Sequence, residues 1–285
     1  MKDRQAMSTA RGVALVRAIE TARPESQRII TDPYAKAFVN PLTMAATGLM
    51  HRSRLLDLLL PAGMIDFAIA RDRYVYDLMV SEVGTGLDQM VILGAGFDTR
   101  AYRVPGIGNL PVYEIDHPAT QRAKRAALRG VVEPLPANVR FVPVNFETDT
   151  LGVQLTTAGY DEGKRSLFVW QGVTPYLTAA GVDGTLEFVA QHSGVGSRIA
   201  FDYFDTDILN GNRSAWMRLM TSMMGEKLSF GIRSADIEQF LRKRGFANIR
   251  NIDGVGLRRL YWTGRDAGRP LAQGAEMVIA DVAER

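Results

Sequence analysis

The chain has 285 residues, 46% of them hydrophobic, and a formal net charge of +3 at pH 7. So small a charge excess gives no basic field for nucleic acid, and the apolar share suffices for one large core or one core with a cap. The absence of cysteine excludes disulfides, thiolate nucleophiles and sulfur-ligated metals.

Residues 8–80 read as mostly helical. Ala14, Leu15, Ala18 and Ile19 recur at helical spacing, and Pro24, Pro33, Pro41 and Pro61 punctuate the stretch. Arg17 and Glu20 interrupt any secretory core, and the apolar run 55–60 is too short for a bilayer and contains Asp57. The expectation is a cytoplasmic protein without a membrane or nucleic-acid partner. From residue 90 strand and helix alternate. The predicted strands are 90–93, 111–115, 139–144, 166–170, 197–203, 246–252 and 276–282; the predicted helices include 118–129, 179–193 and 234–244. This alternation implies an α/β fold, a parallel sheet with helices on both faces. The last strand follows a loop-rich stretch rather than a crossover helix, which permits an antiparallel edge. Arg122, Lys124, Arg125 and Arg129 fall on a helical pattern and read as a solvated face. His51, His117 and His192 show no paired ligand spacing, so no metal site is expected.

The most informative stretch is VILGAGFDTRAYRVPGIGNLPVYEID, residues 91–116. An apolar strand ends at Gly94-Ala95-Gly96, and a second strand delivers Asp116. Glycines let backbone approach a ligand closely, and a carboxylate at the next strand tip accepts from ribose hydroxyls. A dinucleotide fingerprint needs a third glycine where this chain has Thr99. The nucleoside reading therefore favours S-adenosylmethionine (SAM) over NAD. Asp116 also has the spacing of a cap for a helix starting at Pro118.

GAGFDTRAYR resembles the signature of the leucine carboxyl methyltransferase family of SAM-dependent enzymes, in particular its bacterial branch that includes polyketide O-methyltransferases. Other segments agree in order: TAxxxAxxRAxET within 9–21, DPYAKAFV at 32–39, ARDRYVYD at 70–77, YEIDHPATQRAK at 113–124, VNFETD at 144–149 and QGVTPYL at 171–177. The resemblance implies a Rossmann-like class I SAM-methyltransferase sandwich with a mostly parallel seven-stranded sheet. It also implies a single methyltransferase domain over 1–285. Within it, a helical cap over 1–80 precedes an α/β core over 81–285, with a cap insertion at about 205–232.

Ligands of open parallel sheets bind beyond the strand carboxyl ends. The expected cofactor contacts are Gly94, Ala95, Gly96 and Asp116, with Asn145 and Phe146 beside the adenine, Gln171 at the fourth strand tip, and Arg71 at the position that contacts the SAM carboxylate in the family. Asp98 and Arg100 are expected to order the glycine turn by pairing with each other or with Arg71. Where this chain has Asn145 and Gln171, the family commonly has Asp and Glu, and Gln171 lacks the charge that attracts the SAM ammonium. Tyr176 and the Met-rich helical stretch with Trp216, Met217 and Met220 are candidates for holding an apolar or aromatic acceptor. Tyr34, Phe38, Met64 and Phe67 are candidates for closing its other side. No general base is evident, which favours a carboxylate or acidic phenol. Two other functions stay open: a non-catalytic SAM-binding protein, motivated by Asn145 and Gln171, and an NAD-dependent oxidoreductase.

Overall fold

The structure is a computed structural model that describes residues 2–52, 63–145, 149–210, 228–262 and 271–284. Its centre is set by two strands, β1 (Gln89–Leu93) and β4 (Ser166–Trp170), in which every residue is buried. Strands covered on both faces read as unbroken apolar runs, which is why both were visible in the sequence. β2 (Val112–Asp116) pairs in parallel with β1 and with β3 (Val139–Pro143), and β4 pairs in parallel with β1 and β5 (Arg198–Phe204). β7 (Ala275–Val282) runs antiparallel to both β5 and β6 (Phe246–Ile252). The order is β3-β2-β1-β4-β5-β7-β6, which is the class I methyltransferase sandwich. Strand order reverses between β1 and β4, the place where open α/β sheets bind ligands.

Helices cover both faces. On one face lies α3 (Met64–Gly84); α1 (Lys2–Thr21) packs against α3 and over the strand tips, and α2 (Pro41–Arg52) contacts α1. Phe67, Ile69, Ala70, Val75 and Met79 of α3 enter the same core as Met90, Ile92, Leu167 and Val169. Each large apolar side chain so buried contributes about 1.5–3 kcal/mol. Residue 80, the expected boundary between cap and core, falls inside α3. The other face is covered by α5 (Leu151–Thr157), α6 (Ala179–Gln191) and, after the short α7 (Thr206–Asn210), by α8 (Ile237–Arg242). No helix among the described residues is long and apolar enough to cross a membrane.

Three sequence expectations change. A helix, α9 (Gly254–Tyr261), occupies the stretch before β7 that reads as loop. Gly254 and Gly256 disguise it, because glycine disfavours helix interiors. Asp253 nevertheless caps it by accepting from Gly256 N at 2.8 Å, and a side chain at Gly256 would strike Ile252. The predicted helix 234–244 is a 3-10 turn, Ser234–Asp236, followed by α8. On α4 (Pro118–Leu128) Arg122 and Arg125 are exposed, but Lys124 is 1% exposed rather than solvated.

Candidate cofactor site

A cavity of about 240 Å³ opens at the switch point, lined by the tips of β1, β2 and β4 together with α1 and α3. Gly94 and Gly96 form its cradle. Both have positive φ (65° and 44°), which favours glycine, and a Cβ on Gly94 would collide with Val173. A Cβ on Gly96 would stand 3.3 Å from that of Ala10, so α1 is seated directly on the turn.

Asp116 ends β2 at the cavity wall. Its Oδ2 accepts from Gly96 N at 2.5 Å and its Oδ1 from His117 N at 2.7 Å. The cap of α4 is His117, whose Nδ1 accepts from Ala119 N at 3.3 Å. Asp116 is therefore not spent on capping, and its partners tie the glycine turn to the second strand. Burial pushes the Asp116 carboxyl above its ordinary range, against the pull of the Gly96 and His117 amides and Lys124.

Beneath the turn the charges pair among themselves. Asp32 Oδ2 accepts from Arg17 Nε at 2.8 Å and Thr99 Oγ1 at 2.7 Å, while Oδ1 accepts from Ala35 N at 3.1 Å. Arg17 Nη2 also donates to Phe97 O at 2.5 Å. Arg100 Nε donates to both oxygens of Asp98, at 3.0 and 2.9 Å, so these two pair with each other and not with Arg71. Arg103 reaches Asp72 at 3.3 Å and Thr99 Oγ1 at 3.2 Å. The segments 9–21, 32–39 and 70–77 thus converge on DTRAYR and brace it. Burial alone would raise the Asp98 carboxyl, but the Arg100 guanidinium beside it, with Arg17 and Lys124, holds it well below the usual carboxylate range. Deeper still, Lys124 Nζ sits 2.7 Å from Glu114 Oε2, both side chains 1% exposed. Burial pushes Glu114 up, with Lys124 opposing.

The β4 side is less self-sufficient. Arg71, on α3, donates from Nη1 to Asp202 Oδ2, and Asp202 Oδ1 accepts from Gly172 N at 2.6 Å. Arg71 Nε and Gln171 Oε1 are buried and have no hydrogen-bond partner among the described residues, although both side chains line the cavity. Thr9 Oγ1 and Arg100 Nη1 are in the same condition. Buried polar groups are nearly always paired, so such a cluster fits a ligand that completes it.

The cavity brings together Arg71, Gly94, Ala95, Gly96, Asp116 and Gln171. Asn145 does not line it; its N–H donates to Asp149 Oδ2 at 2.9 Å in the turn after β3. Phe146, Trp216, Met217 and Met220 lie outside the described residues. Tyr176 lines a separate groove between α5 and α6, because the 3-10 turn Thr174–Tyr176 carries it away from the cavity. Phe38 and Phe67 are core instead, Phe38 stacked on Phe97 at 4.6 Å and Phe67 buried under the Arg71 guanidinium, while Tyr34 is half-buried and meets Tyr102 edge-on, away from the cavity. Met64 packs against the α3 core. The roof that sequence reasoning missed is Thr9, Ala10 and Val13 of α1. Asp202 was missed too; an acid between Phe201 and Tyr203 in an apolar strand was the available signal.

The family model of leucine carboxyl methyltransferase matches residues 10–190. A protein of Rhodococcus jostii, provisionally named an S-adenosyl-L-methionine-dependent methyltransferase, is 32% identical over 97% of this chain and 92% of its own length. A similarly named protein of Mycolicibacterium smegmatis is 33% identical, covering 71% of this chain and 68% of itself. Among solved structures, geranyl diphosphate C-methyltransferase from Streptomyces coelicolor, in complex with Mg2+, geranyl diphosphate and S-adenosyl-L-homocysteine, aligns with a TM-score of 0.50 at 13% identity, covering 76% of this chain and 81% of that one. At that identity the likeness is one of fold alone.

Proposed function

The chain belongs to the leucine carboxyl methyltransferase family, whose methyl donor is SAM, and from that premise we propose that it methylates an oxygen of a small apolar or aromatic, polyketide-like molecule, at a carboxylate or a phenolic hydroxyl. The observation that carries the placement of the cofactor is the cavity at the switch point, where a glycine cradle, a strand-tip carboxylate and unpartnered polar atoms meet.

The residues present fit the cofactor. Gly94, Ala95 and Gly96 admit backbone contact where a side chain would collide. Each oxygen of Asp116 accepts one backbone amide and keeps a further lone pair for a ribose hydroxyl. Arg71 Nε is a donor for the amino-acid carboxylate, and Gln171 Oε1 an acceptor for its ammonium. Val13, Leu93, Phe97 and Val173 supply apolar wall. The sulfonium supplies an activated methyl group, so the protein's task is alignment and exclusion of water. Among the described residues His117 alone of the histidines lines the cavity, and its Nδ1 serves the helix cap. A carboxylate acceptor, ionised at neutral pH, needs no base, which favours it over an alcohol. Trp216, Met217 and Met220 are assigned to the acceptor by spacing and chemistry; Tyr176, facing another groove, is not.

The test is transfer of labelled methyl from SAM to a panel of aromatic carboxylates and phenols. The expected result is label on an oxygen of a carboxylate or phenol, with carboxylates ahead. Tight binding of S-adenosylhomocysteine (SAH) with no transfer to any member of the panel supports the non-catalytic reading instead.

A further inference from the structure

We propose that Asp202 is a positioning residue that sets the charge balance of the cavity for a zwitterionic ligand end, supplying through Arg71 and the Gly172 turn what Gln171, being neutral, does not. This rests on the cofactor reading above.

Asp202 is 3% exposed, and its neighbours on β5, Phe201 and Tyr203, are buried as well. A carboxylate there is costly unless it is paired and fully hydrogen-bonded. Its partners are not those of a strand brace. Oδ2 takes Arg71 Nη1 from α3, Oδ1 takes the Gly172 amide from the β4 tip, and its backbone oxygen takes Thr174 Oγ1 from the same loop. One residue therefore holds both elements of the β4 side, α3 with Arg71 Nε and the β4 tip with Gln171 Oε1, two of the unpartnered atoms. Gly172 has φ +73°, and a Cβ on it would stand 3.4 Å from the Arg71 guanidinium, so the turn and the guanidinium are packed against each other in one arrangement.

The charges give this arrangement a purpose. Arg71 and Asp202 sum to zero, and Gln171 adds nothing. Arg71 alone would make the β4 side net positive, attracting a carboxylate but repelling an ammonium. With Asp202 behind it, the same guanidinium still offers Nε to a carboxylate, while Gln171 Oε1 faces an ammonium in a neutral field.

The experiment compares two ligands that share the nucleoside and sulfur: SAH, which has the amino-acid end, and 5′-methylthioadenosine, which lacks it. Both are titrated calorimetrically into the full chain, into Asp202→Asn, and into the double variant Arg71→Gln/Asp202→Asn. The double variant keeps a polar pair without a buried unpaired charge and answers the question if the single variant does not fold. The wild type should prefer SAH by roughly tenfold or more, since charge-assisted bonds are about twice as strong as neutral ones. Asp202→Asn should weaken SAH by about tenfold and leave methylthioadenosine within about twofold, and the double variant should lose the preference altogether. Equal weakening of both ligands, or a wild-type preference kept by either variant, overturns the assignment. A wild type that binds neither ligand overturns the cofactor reading itself.

Discussion

The two walls of the cavity differ in how their charges are matched. On the glycine-turn wall, Asp98 is gripped by Arg100, Asp32 by Arg17 and Thr99, and Glu114 by Lys124, all within the chain. On the β4 wall, Arg71 is held at one nitrogen, and Gln171 lines the cavity with its carbonyl oxygen unpartnered. The first arrangement spends its charges on shape: four separated sequence motifs are locked around one turn. The second has no such internal pairing among the described residues for Arg71 Nε and Gln171 Oε1, which, with Arg100 Nη1 across from them and Thr9 Oγ1 above, line the cavity as groups a ligand would complete. A motif full of charged residues is therefore not a list of contacts; in this chain most of those charges serve the cradle, and few serve what lies in it.

The largest effect should come from breaking the self-paired wall. Lys124→Met leaves Glu114 as an uncompensated buried carboxylate and should cost about 3–5 kcal/mol of stability, read by chemical denaturation. A loss below about 1 kcal/mol would mean the pair is not the buried support described here. Next, Asp116→Ala should weaken SAH by about 2–3 kcal/mol, roughly 30- to 150-fold, because a charged acceptor is lost. Its denaturation midpoint should move far less than that of Lys124→Met; the reverse ranking would place Asp116 on the architectural side. On the β4 wall, Gln171→Glu should tighten SAH by about 1 kcal/mol, the restored charge being partly offset by its desolvation. Asn145→Asp should do less, since Asn145 does not line the cavity and adenine carries no charge to pair. An inverted order in one calorimetric series would show that the methionine end is not at β4.

The smallest effect is a pH dependence that separates two acids. Asp116 has its carboxyl raised by burial, so it takes up a proton first as pH falls, and the protonated form is a poorer acceptor for ribose hydroxyls. SAH affinity should therefore decline on acidification from above the ordinary carboxylate range, and Asp116→Asn should flatten the curve. Asp98 is lowered, so the stability it contributes is present above its unfolded value and lost only as pH falls through its lower folded one. The circular dichroism of the fold should accordingly stay constant across the window in which affinity drops. Parallel loss of both would contradict the division between the walls.

The centre of the sheet was legible because β1 and β4 are short, fully buried apolar runs, and Asp116 because its distance from the glycine turn is fixed by one crossover. What escaped the sequence was decided by tertiary contact. Lys124 sits on a basic helical face, yet its partner Glu114 lies on a neighbouring strand, so a local pattern reads it as solvated. The α1 roof follows no recognisable site spacing; Thr9, Ala10 and Val13 reach the cavity only because the helix lies on Gly96, and of the three only Thr9 brings a polar group, its unpartnered Oγ1. Tyr176 is close in sequence to Gln171, but one 3-10 turn between them sends it to a different groove. The α9 helix was hidden by its glycines, one of which is required by Ile252.

On the function proposed above, the cavity at the β1–β4 switch point holds SAM. Titrating the unmodified protein with SAH and, separately, with NADH tests it most directly. Saturable heat is expected with SAH and none with NADH, and the SAH signal should be lost in Asp116→Ala. Binding of NADH in place of SAH, or SAH binding unaffected by Asp116→Ala, would contradict it.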